Sequence, residues 1–145
     1  MNGSQHLQVR TGLDYASGTA TRNGAAFDTQ GFEGVLMIFK FAAIAGSAVT
    51  TVKAQQGALA DMSDAADLYG TSISVADDDD DQVFVIDLCR PRERYVRGVV
   101  GKDGSHAVAE SMVYIGYGAK NKPVVQTLAD EVTYELHVEP AEGTA

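Results

Sequence analysis

Four arginines, Arg90, Arg92, Arg94 and Arg97, fall within eight residues of a chain that holds only 11 Lys and Arg in all. A guanidinium is a planar fork of donors that pairs bidentately with carboxylates, so such a row points to binding rather than to bond-breaking chemistry. On an extended chain Arg90, Arg92 and Arg94 share one face, with Pro91 able to twist that register, and Arg97 lies beside Tyr95 on the other. Three kinds of group suit the row: acidic loops of the same chain, carboxylates of a neighbouring subunit, or nucleic-acid phosphates. The overall balance opposes the last. With 20 Asp and Glu the net charge is −9, whereas phosphate binding requires cations to replace counterions.

Two acidic groups also invite a chemical reading. Asp77–Asp81 is a run of consecutive aspartates, but calcium loops space their ligands and place Gly at the sharp turn, so the run reads as a solvated, self-repelling turn. Asp61, Asp64 and Asp67 recur three apart between Gly57 and Gly70. They read either as polar caps and turns or as a divalent-ion site. His6, His106 and His137 are scattered over three separate segments and do not suggest a ligand set. The one cysteine, Cys89, excludes an internal disulfide framework and reads as a small hydrophobe packed in a buried strand.

Catalytic signatures are missing. The chain has no Gly-rich phosphate loop, no His-Glu-x-x-His and no nucleophile elbow. Val85-Ile86-Asp87 is superficially similar to the Ile-Asp motif of the trimeric nucleotide hydrolases of the dUTPase family. Leu88-Cys89-Arg90-Pro91 stands where Tyr and Gly should follow, and no Gly-rich C-terminal arm exists, so that reading is rejected. The expectation is a protein that is not an enzyme and has no metal or cofactor.

The elements that must position these residues read mostly as strands. At 145 residues the chain fits one domain that buries roughly 68–70% of its unfolded surface. Hydrophobic residues at 45% and charged ones at 21% suit a soluble globular fold. The first residues show no secretory pattern, and Val35–Ala45, interrupted by Lys40, is far short of the ~20 residues that span a bilayer, so no membrane is expected.

Residues 1–30 are rich in Gly, Ser, Thr, Asn and Ala, with isolated apolar positions at Leu7, Val9, Leu13 and Phe27. Too little apolar surface is available for the segment to order itself, so it reads as an arm, with one short strand near Leu7–Arg10, dependent on whatever it lies against. Val35–Phe41 and Val83–Leu88 read as strands buried on both faces, the second halted by Pro91. Val49–Gln56, Thr71–Val75, Arg94–Val100 and Ser111–Tyr117 read as further strands. Gly57–Gly70 is either a single helical turn or a wound loop.

The clearest alternation sets Val132, Tyr134, Leu136 and Val138 against Glu131, Thr133, Glu135, His137 and Glu139, a strand with one buried and one wet face, ended by Pro140. The resulting expectation is an all-β chain, a β-sandwich or jelly roll with an extended N-terminal arm. Its parts are an arm over 1–30, a β-sandwich domain over 31–140 and a tail over 141–145.

Four segments taken in order carry a resemblance: Gly31-Phe32-Glu33-Gly34-Val35-Leu36, Val52-Lys53-Ala54-Gln55-Gln56-Gly57, Arg94-Tyr95-Val96-Arg97, and the ending Leu136-His137-Val138-Glu139-Pro140-Ala141-Glu142-Gly143-Thr144. Together, from Thr11 onward, the chain resembles the small structural proteins of tailed bacteriophages, the decoration or cement proteins of the head. The resemblance implies a β-sandwich that binds the major capsid protein lattice on the outer surface of the virion, commonly as a homotrimer, after assembly in a host cytoplasm. It supplies no catalytic site. The partner-binding residues expected from the chain itself are Arg90, Arg92, Arg94, Tyr95 and Arg97, with Leu7, Val9, Leu13 and Phe27 of the arm. Alternative readings are a head–tail connector or tail accessory protein, or a carbohydrate-binding β-sandwich module, the last opposed by the absence of Trp.

Overall fold

Along Gly34–Ile44 the side chains of Val35, Met37, Phe39 and Phe41 are fully buried, while Leu36, Ile38 and Lys40 between them reach the surface. This alternation marks a sheet covered on one face only, and the computed structural model shows the two-layer architecture responsible. It describes residues 2–126, 131–139 and 141–143. After a helical turn at Gly3–His6 come β1 (Gln8–Gly18), β2 (Arg22–Asn23), β3 (Phe27–Asp28), β4 (Gly34–Ile44), β5 (Thr50–Gly57), β6 (Ala66–Asp67), β7 (Ile73–Val75), β8 (Val83–Cys89), β9 (Tyr95–Lys102) and β10 (Val108–Tyr117).

One sheet runs β1-β10-β4-β8; the other is built on β9 and β5, with β2 and β3 along the free side of β9 and β6 and β7 along that of β5. All pairings are antiparallel. The chain is an all-β sandwich. Among the described residues no helix is long and apolar enough to cross a membrane.

Between the sheets lie Phe27, Val35, Met37, Phe39, Phe41, Val52, Val96, Val100, Met112 and Tyr114. Phe27 packs against Tyr114 at 5.6 Å between ring centroids, and Phe41 meets Phe84 edge-on at 5.5 Å. Tyr114 brings a hydroxyl into this core and satisfies it twice, donating to the Ala25 carbonyl (2.8 Å) and accepting from the Gly98 amide (3.0 Å). Burial holds its phenol well above the ordinary range. Gly98 is required here, because a Cβ would collide with Met112 Sδ and Phe39.

A buried ionic cluster crosses the same layer. Glu110 is fully enclosed, with Oε2 2.7 Å from Lys102 Nζ and Oε1 2.9 Å from Arg22 Nη1. Lys102 Nζ also donates to the Gly18 and Val108 carbonyls, and Arg22 to the Asp14 carbonyl, so the cluster ties together β1, β2, β9 and β10.

Several sequence expectations are corrected by this architecture. Residues 8–30 are not an arm. β1 pairs with β10 from Gln8↔Gly116 to Gly18↔Val108, and Leu13 and Phe27 are core residues. Local composition could not reveal this, because the ladder that orders β1 lies about a hundred residues away. β4 and β8 are each buried on one face, and β8 is a sheet edge with Val83 and Val85 exposed.

Cys89, at its end, is exposed rather than packed. Gly57–Gly70 is a loop holding the short strand β6. Residues 131–139 form no strand, and Tyr134, Leu136 and Val138 are exposed. Pro140, expected to end that strand, and residues 144–145 of the expected tail lie outside the described residues.

Candidate functional site

The arginine row straddles a change of backbone direction. β8 stops at Cys89, Arg90 takes a left-handed conformation (φ 51°), and Arg90–Arg94 form the bend that leads into β9. This overturns the expectation that Arg90, Arg92 and Arg94 share one face of a strand. Arg90 folds back on Glu33, with Nη2 and Nε 2.8 and 3.2 Å from Oε1, and its amide donates to the Glu33 carbonyl at 2.9 Å. Arg94 makes a bidentate pair with Asp28 (2.9 and 2.7 Å), which holds the Asp28 carboxyl below its usual range. The Arg94 guanidinium also sits 5.1 Å from the centroid of the Tyr95 ring.

Arg97 lies on the outward face of β9 beside Tyr95 and donates to Gln55 Oε1 (2.8 Å), a neutral partner. Only the backbone of Arg92 is engaged, through Gln56 Oε1 at 3.3 Å; its side chain is exposed. Two of the four charges are therefore matched within the chain, by Glu33 and Asp28 rather than by the acidic loops. Arg92 and Arg97 have no ionic partner among the described residues. Beside the row a groove of about 530 Å³ opens between the Thr29–Glu33 loop, Arg90, Pro91 and Lys120.

The acidic groups do local work. Asp77 accepts from the Ser47 amide (2.5 Å), Asp79 from Ala76 (2.8 Å) and Asp80 from Ile44 (2.7 Å), so the aspartate run clamps the β4–β5 connection. Asp64 caps Ala58 and Leu59, Asp61 accepts from Ser63, and Asp67 pairs with Lys53 and Gln55. Among the described residues no three metal-ligating side chains converge. His106 lies against Asp103 and His137 against Glu135, far from one another in the chain.

A surface that the sequence reading missed lies on the outer face of the four-stranded sheet. The register places Val9 opposite Ile115, Ile115 opposite Leu36, Val113 opposite Ile38, and Ile38 opposite Val85. Directly opposed residues point the same way, so these six aliphatic side chains form one patch spanning all four strands. Val113 is 38% exposed and Val85 48%. On the same face Asp87 stands opposite Leu36 and Thr11 opposite Val113, so the apolar patch is bordered by polar groups, which makes it a candidate interaction surface. The signal was present in the sequence as near-continuous apolar runs, but such runs equally describe a strand buried on both faces.

Of the expected arm contacts, Val9 belongs to this patch and Leu7 is half-buried near its edge, whereas Leu13 and Phe27 point into the core and cannot meet a partner. No protein-family model matches the chain, and no curated protein matches it.

Proposed function

We propose that this chain is a non-enzymatic virion structural protein that decorates a tailed-phage head, binding the major capsid protein lattice from outside and acting with sister subunits, as a homotrimer. The observation that supports it best is the aliphatic outer face of Val9, Leu36, Ile38, Val85, Val113 and Ile115, one patch across all four strands of the sheet. Seating it against another protein removes that area from water at about 25 cal/mol per Å². Arg92 and Arg97 supply charge at a separate surface suited to a neighbour's carboxylates. The resemblance to decoration proteins supplies the partner.

The test is co-sedimentation of the purified chain with expanded capsids that lack it. Saturation at a copy number matching the capsid lattice is the expected result, with loss of binding in Ile38→Asp and Val113→Asp variants. Saturation at the number of a single ring at the portal would instead establish a head–tail connector. Undiminished binding by both variants would remove the patch from the interface.

A further inference from the structure

Two halves of an unmade strand pairing are present in this fold. The first is the segment Val132–Val138, which has the strict alternation of a strand but lies unpaired, with Leu136 47% and Val138 72% exposed. The second is the free edge of β8, the end of the order β1-β10-β4-β8. A sheet edge presents a row of unpaired amides and carbonyls that an extended segment can complete. On its inner face β8 carries Phe84, Ile86 and Leu88, and both Phe84 and Leu88 remain only partly covered.

The segment cannot make this pairing within its own chain. It leaves the body at Glu131, which pairs with Arg10 of β1 at 2.8 Å. The adjacent edge of β1 is already taken: the Val9 amide donates to Gln126 Oε1, the Gly12 carbonyl accepts from the Ala25 amide, and the Asp14 carbonyl accepts from Arg22. β8 lies three inter-strand steps from β1, and a strand added at its free edge would lie a fourth step away, about 19 Å from β1. Residues 132–138 span about 23 Å when extended, so reaching that edge would leave almost nothing to align along it.

We infer that Val132–Val138 of one copy adds as a fifth strand to the β8 edge of a second copy, its apolar side extending the row Phe84, Ile86, Leu88. Donor and acceptor lie on opposite edges of the same sheet, so the contact is heterologous and head-to-tail, the class of contact that builds a ring when its rotation closes. The inference rests on the reading of the chain as a protein that works with sister subunits and identifies the element that joins them. It makes no use of the capsid.

Cys89, the single cysteine, is exposed at the end of β8 and reports on the pairing directly. Cys89 shares the outward face of β8 with Val83 and Val85, so parallel addition brings His137 of the segment's polar side beside Cys89 of the neighbour, and antiparallel addition brings Thr133 there. In the full chain, Thr133→Cys and His137→Cys are oxidised mildly and run on non-reducing gels, without capsids present. Expected is a ladder of covalent multimers from one of the two, abolished when Tyr134→Asp and Leu136→Asp are added. Light scattering should show the wild-type chain as an oligomer and the double-aspartate variant as a monomer with an unchanged circular dichroism spectrum. A monomeric wild-type chain, cross-links only within one chain, or an oligomer that survives the double-aspartate change would each overturn the strand exchange. An exchanging oligomer that fails to bind capsids would overturn the decoration role and leave the exchange intact.

Discussion

Glu110, Lys102 and Arg22 stake more on single side chains than any surface pair in the molecule. Removing one partner leaves a charge enclosed without compensation, so Glu110→Ala or Lys102→Ala is expected to cost about 3–5 kcal/mol in urea denaturation. Replacing all three with apolar residues of similar volume should leave stability at or above wild type, since the desolvation of the ions disappears with them. Asp103 makes a prediction with a pH sign. Its carboxylate accepts from the amides of Ser105, His106 and Val49, which hold it far below the usual carboxylate range. A depressed folded value means that the stabilisation is complete above the unfolded value of about 3.9 and is lost as pH falls through the folded value. Asp103→Asn should therefore lower the urea midpoint at pH 7, and the gap from wild type should narrow below about pH 4.

At the scale of elements, β1 decides what the N-terminal segment is. It forms a long ladder with β10, and Phe27 packs on Tyr114. Deleting residues 1–30 is expected to abolish the cooperative thermal transition, because it uncovers β10 and removes a core aromatic; a separable arm would leave that transition in place. Phe27→Ala alone should cost about 3–5 kcal/mol. The element boundaries at turns were legible beforehand: Pro91 follows the end of β8, and Lys102-Asp103-Gly104-Ser105 makes the reversal into β10, with Gly104 at φ 82°. Burial on one face or two was not legible in β4 and β8, since it depends on whether another layer covers them. The C-terminal alternation predicts a strand, but residues 131–139 form none, because a pattern becomes a strand only where an edge accepts it.

On the scale of the whole molecule, the chain offers surfaces with separate uses. On the proposed reading the aliphatic face of the four-stranded sheet meets the capsid and the β8 edge meets a sister subunit, while Arg92 and Arg97 have no ionic partner among the described residues. Aspartate substitution at Val113 should therefore weaken capsid binding without changing oligomeric mass, while substitution at Leu136 should lower the oligomeric mass. Paired sedimentation and light-scattering measurements separate the two.

By itself the sequence determined the all-β class, most of the strands from Val35 to Tyr117 and the clustering of arginine near residue 90, because alternation, turn residues and composition act over a few neighbours. Tertiary structure alone decided that β1 belongs to the sheet, that Glu33 and Asp28 match Arg90 and Arg94, that Glu110 is enclosed between two cations, and that one sheet face stays bare. Each of these depends on partners tens of residues apart in the chain, and a strand's pairing energy is set by the edge it meets rather than by its own residues.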